Sequence, residues 1–242
     1  MMTLIEIAGL LGLNLAGALI VMLVLGLWAV RRERIGLIDA AWPLLLAGLA
    51  AATFAITEGD PIRKGLLLWL VGLWALPQAL RRLAPGARAE ADARYAAVAE
   101  AAAGPWGWRP DRAGLVLFFL PQAVLAWLVS LPVQLGQVDF LPAVGWVGWA
   151  GAVLAVAGIG LEGVGSLRAV KHPAVDPSAF RGWRRWLRRP EYLGDLAVWW
   201  GLFLIAAETA PGQAAIAGPI FLTFALAHWA KTENPRRERD GG

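Results

Sequence analysis

The chain contains no cysteine, and only two histidines and two tyrosines among its 242 residues. Without cysteine there is no disulfide, no thiolate nucleophile and no sulfur-ligated metal. The two histidines, His172 and His228, lie far apart in sequence. A histidine-based metal centre is therefore not expected, and no metal site is assigned. Charge is scarce too: 17% of residues are charged, 58% are hydrophobic and the mean hydropathy is +0.57. A soluble domain is about 45–50% apolar, so this composition implies a polytopic membrane protein. The net charge of +4 follows from how basic residues are distributed about a membrane, and no nucleic-acid partner is expected.

What the sequence does have is long apolar runs. Stretches of roughly 17–25 apolar residues are candidate spans, and seven are present, at 8–30, 37–57, 65–80, 113–132, 143–164, 192–208 and 213–229. The expected fold is all-α: a polytopic membrane helical bundle of about seven transmembrane helices, forming one integral-membrane domain over 1–242 with a short polar tail at 230–242. The first run lacks a basic leader and a small-residue cleavage site, so it is expected to remain in the mature chain. Segments 31–36, 81–112, 165–191 and 230–242 carry 3, 6, 7 and 4 lysines and arginines, which is 20 of the 22. The alternate connections hold only Arg63 and Lys64. Basic residues accumulate on the cytoplasmic side, so the N-terminus is expected outside and the C-terminus in the cytoplasm.

Gly158-Ile-Gly-Leu-Glu-Gly163 spells the dinucleotide fingerprint G-x-G-x-x-G. That motif works where a strand precedes it and a helix follows, so that the glycines turn around a pyrophosphate. Here it falls inside a membrane run, and with Gly151, Ala155 and Gly165 it reads as small residues for close helix packing. Between the third and fourth spans, Ala87 to Ala103 is an Ala-rich helical stretch, and Trp183 and Trp186 read as headgroup-level anchors.

Ionisable residues at membrane depth carry more information, because a charge there costs at least ~2.5 kcal/mol and faces a polar cavity or a partner. Asp39, Glu162, Glu191 and Asp195 all fall at the cytoplasmic level of their spans. Each is open to two readings, a salt bridge to a nearby arginine or membership of a shared polar cavity, which Gln78 and Gln122 could also line. Pro190 suits the first turn of a helix. The sixth span would then present unpaired N–H groups and a positive dipole end to the cytoplasm, just after Arg184, Arg185, Arg188 and Arg189. Such a junction attracts phosphate, although the positive-inside bias alone would also produce those arginines. Tyr192, Asp195 and Trp199 share one helix face at i, i+3, i+7 spacing.

These residues resemble a bacterial membrane family related to steroid 5-alpha reductases, and more distantly isoprenylcysteine carboxyl methyltransferases. The family motif Trp-x-x-Ser-Arg-His-Pro-Asn-Tyr-x-Gly-Glu is relaxed here to Trp186-Leu-Arg-Arg-Pro190, then Glu191-Tyr192-Leu-Gly194-Asp195, followed by Trp199-Trp200-Gly201. Leu37-Ile-Asp39-Ala-Ala-Trp42, Asp92-Ala-Arg94-Tyr95 and Ala126-Trp-Leu-Val-Ser-Leu-Pro132 resemble further segments in the family's order. The resemblance implies a protein of the bacterial inner membrane that binds NADPH on the cytoplasmic side. It would reduce a carbon–carbon double bond conjugated to a carbonyl in a lipid or isoprenoid. Glu162, Arg188, Arg189, Glu191, Tyr192 and Asp195 would shape the cofactor site, with Asp39 and Tyr192 as the catalytic candidates. The departures are Arg189 for the family's histidine, Glu191 for its asparagine, Ser166 at a position expected to be more polar, and a tail without the family's basic, tyrosine-containing stretch. They leave two alternatives: a scaffold or lipid-binding protein that has lost catalysis, and a methyltransferase using S-adenosylmethionine.

Overall fold

A computed structural model describes residues 2–106, 114–140, 142–171 and 190–232, and all regular structure in them is helical. Helix α1 (Leu4–Arg31) starts on a capping box in which Glu6 N donates to Thr3 Oγ1 at 3.3 Å and Thr3 N donates to Glu6 Oε2 at 2.7 Å. This settles two of the free N–H groups at a helix start. Its 28 residues span roughly 42 Å at 1.5 Å per residue, more than the ~30 Å hydrocarbon core. The chain then reverses through Glu33, a non-glycine residue at φ 55°, and enters α2 (Leu37–Ile56). In α3 (Pro61–Leu83), Pro61 occupies the first turn and Asp60 caps it, its Oδ1 accepting from Arg63 N at 2.8 Å.

Helix α4 (Pro85–Trp106) lies against the α1–α2 turn, where Gly36 N donates to Asp92 Oδ1 at 2.7 Å. The approach requires glycine, since a Cβ on Gly36 would stand 2.6 Å from Asp92 N. Residues Leu115–Phe119 form a π-turn that feeds α5 (Leu120–Val129), with Leu120 N–H reaching back to Leu115 O. Pro121 accounts for it: proline has no N–H to give and its ring crowds the carbonyl four residues earlier, so the helix widens just before it. A single turn, α6 (Leu131–Leu135), follows. Helices α7 (Trp146–Lys171) and α8 (Pro190–Ala206) pair antiparallel. A short turn α9 (Ala210–Gln213), capped by Thr209, leads into α10 (Ala217–Thr232).

Among the described residues, five helices are long and apolar enough to cross a membrane: Leu4–Arg31, Leu37–Ile56, Pro61–Leu83, Trp146–Gly165 and Ala210–His228. They coincide with five of the seven expected spans. The other two runs fold as the shorter Leu115–Val129 and the 17-residue α8. The sequence also suggested that Arg63 and Lys64 lie in a connection. Instead they occupy the first turn of α3 and are buried, with Lys64 Nζ donating to Thr57 O.

The α7–α8 pair shows what the glycines of the apparent fingerprint do. A Cβ on Gly151 would lie 2.5 Å from Gly201 O, and one on Gly158 would lie 2.7 Å from Gly194 O. The two backbones therefore touch, as small residues permit in membrane helix pairs. Gly160 and Gly163 face open space, so only Gly158 of the motif packs. The core joining the helices contains Met22, Ile38, Leu46, Leu67, Val71, Phe119 and Leu202. Trp74 and Trp199 meet edge-on within it, their ring centroids 5.5 Å apart.

Candidate functional site

One end of the bundle gathers the end of α1, the start of α2, the end of α3 and the start of α8, and carries most of the described arginines; it is called the basic end below. On α3, Trp74, Gln78, Arg81 and Arg82 recur at three-to-four-residue spacing and so face α7 and α8. Asp195 accepts from Trp74 Nε1 at 2.9 Å and from Gln78 Nε2 at 3.4 Å. Glu162, only 5% exposed, accepts from Arg81 Nη2 at 3.0 Å. Gly194 brings the two acids close, because a Cβ there would meet the Cβ of Glu162 at 2.9 Å. Arg82 acts electrostatically on both carboxylates, and its Nη1 is buried without a hydrogen-bond partner. Two carboxylates and two guanidiniums thus meet where three helices converge.

Asp39 belongs to a separate group. It accepts from Arg94 Nη2 at 2.7 Å and from the Tyr95 hydroxyl at 2.6 Å. Its hydrogen bonds therefore dock α4 onto the bundle. Burial, and then the Asp39 carboxylate, push the Tyr95 phenol up to about 12. Burial opposes the charge on Arg94, but Asp39 and Tyr95 together outweigh it and raise the guanidinium above its ordinary value. Of the other residues singled out in the sequence, Tyr192 is half-buried against the core, Glu191 is exposed at the start of α8 and Gln122 is half-buried on α5. Arg188 and Arg189, with Arg184 and Arg185, lie outside the described residues. The face of α8 that bears Asp195 and Trp199 is used against Trp74 of α3.

The opposite end holds two groups that the sequence did not single out. Arg63 is fully buried, donates to Pro142 O and stands 3.7 Å from Glu208. Glu208 accepts from Gly145 N and Gly148 N, both at 2.9 Å, and so caps α7. Deeper in the bundle, Asn14, Thr53, Ser130 and Gln134 form a buried hydrogen-bonded ladder across α1, α2 and α6. Its one signal in the sequence is a polar residue, Asn14, inside an apolar run.

Between α1 and α2 lies a groove of about 690 Å³, within the range of about 300–1,000 Å³ typical of small-ligand sites. It exists because both helices present small residues there, among them Gly17, Ala18, Ala41, Gly48, Ala52 and Ala55. Every lining side chain except Asn14 is apolar. At the basic end it reaches Leu37 and Leu83, the latter next to Arg82 in sequence.

Neither a curated protein nor a solved structure matches the chain. Residues 14–240 match the family described as "Protein of unknown function (DUF1295)". The match covers nearly the whole of this helical, multi-pass chain, which therefore belongs to that family.

Proposed function

We propose that the protein binds a long-chain lipid, drawn sideways from the bilayer into the α1–α2 groove. It would cross the membrane seven times, with the N-terminus outside and the basic end in the cytoplasm. The observation that carries the reading is the groove itself, an apolar channel between two membrane-length helices, rimmed by the exposed apolar side chains of Leu13, Val21 and Leu44. Gly17 and Gly48 have no atom within 4 Å of an added Cβ, so larger residues at either position fill the groove without displacing the fold. Gly48→Leu puts its side chain into the groove and should exclude a bound chain while leaving thermal unfolding unchanged. Native mass spectrometry of lipid carried through purification checks this, and equal lipid retention in Gly48→Leu would refute it.

A second reading is the NADPH-dependent reduction of a lipid enone that the motif resemblance implies. The buried, unpartnered Arg82 Nη1 beside Glu162 and Asp195 supports it, as a donor left for an anionic group. Among the described residues, Glu162 accepts from Arg81, and Asp195 from Trp74 and Gln78. Calorimetric titration of NADPH into the purified protein separates the two readings.

A further inference from the structure

Asn14 is the one polar side chain that lines the groove, and it is 3% exposed. Its amide orientation follows from its neighbours. Gln134 Nε2 donates to Trp127 O at 3.0 Å and to Ser130 Oγ at 2.7 Å. A carbonyl oxygen can only accept, so this nitrogen is fixed and Gln134 Oε1 must be an acceptor. The Thr53 hydroxyl donates to Leu49 O at 2.8 Å, which leaves its oxygen to accept. Asn14 Nδ2 satisfies both, at 2.9 Å each. The two amide protons are thereby used on the core side. Among the described residues no donor reaches Asn14 Oδ1, and this oxygen is not one of the atoms sealed in the core without a partner.

We infer that Asn14 Oδ1 accepts a hydrogen bond from a hydroxyl group on the lipid in the groove, so that the site selects hydroxyl-bearing long-chain lipids. The inference rests on the groove being a lipid site. A chain leaving the bilayer for an apolar groove exchanges one hydrocarbon surface for another and gains little from burial. A single acceptor without competing water then decides which chain stays. From Asn14 to Leu25, the lining residue of α1 nearest the basic end, the groove runs roughly 16 Å along the helix. An extended chain fits that length, with its hydroxyl at Asn14 and its tail towards Leu37 and Leu83.

The test compares tritiated hexadecanol with its methyl ether, which keeps the chain and loses the donor, on full-length protein in phosphatidylcholine nanodiscs. The alcohol is expected to bind roughly three- to tenfold more tightly than the ether. Gly48→Leu is expected to abolish both. Equal binding of the two probes, with both lost in Gly48→Leu, overturns the hydroxyl selection and leaves the lipid reading standing. Binding of both probes unchanged in Gly48→Leu overturns the groove and the selection together. A dimer that Gly48→Leu dissociates, with no probe bound, places a second copy in the groove and overturns the proposal.

Discussion

Tyr95 donates its hydroxyl to Asp39 at 2.6 Å and packs edge-on against Phe118, with ring centroids 4.9 Å apart. Ionising it would bury a phenolate beside a carboxylate, which is why its pKa is pushed up to about 12 from an ordinary 10.0. Between those values the unfolded chain releases the proton while the folded chain keeps it. The interaction therefore contributes stability in full below about pH 10 and loses it as pH rises through about 12. A tyrosinate absorbance titration should show one of the two tyrosines ionising only near the upper value, and Tyr95→Phe should delete that late step. Absence of a late step in the folded protein would mean that α4 is not docked through Asp39. The same residue shows a limit of sequence reading. Asp39 stood out as a charge at membrane depth, but nothing near it in sequence pointed to partners 55 and 56 residues away on α4.

At the scale of helices, the α7–α8 contact turns a sequence ambiguity into a measurable difference. Gly201→Ala would place a methyl group 2.5 Å from Gly151 O, and backbone cannot yield as a side-chain tip can. Overpacking of this kind costs about 1–3 kcal/mol. Gly160→Ala, in open space, should change nothing or stabilise slightly through helix propensity. Thermal unfolding followed by circular dichroism separates the two, and equal melting temperatures would refute the interlocked backbones. That glycines lay in a helix was legible from the apolar run around them, and so was the rejection of a phosphate-binding loop. Which of them touch the partner was not, because the contact depends on the rotational setting of α8. The partners of Glu162 and Asp195 were hidden for a related reason. Arg81 and Trp74 sit 81 and 121 residues away, on a helix whose polar stripe shows only once it is wound. Arg63 misled the hydropathy pattern outright: its charge places it in a connection, whereas Pro142 O and Glu208 hold it inside α3.

The whole molecule has two polar ends of different construction. The basic end carries Arg31, Arg32, Arg34, Arg81 and Arg82, while the opposite end shields Arg63 and Lys64 within α3 and exposes Glu58. The positive-inside rule counts lysines and arginines in short connections and near the span ends, and Arg63 and Lys64 are few against the cations of the basic end. The proposed orientation can be measured directly because the chain has no cysteine of its own, so a single introduced thiol reports alone. Glu58→Cys, in the exposed connection between α2 and α3, should react with a membrane-impermeant maleimide on intact cells. Glu33→Cys, in the exposed turn between α1 and α2, should react only after the membrane is opened. The reverse pattern would put the basic end outside and remove the cytoplasmic setting on which a nucleotide cofactor depends. It would leave untouched the proposed lipid site in the α1–α2 groove, which would face the bilayer in either orientation.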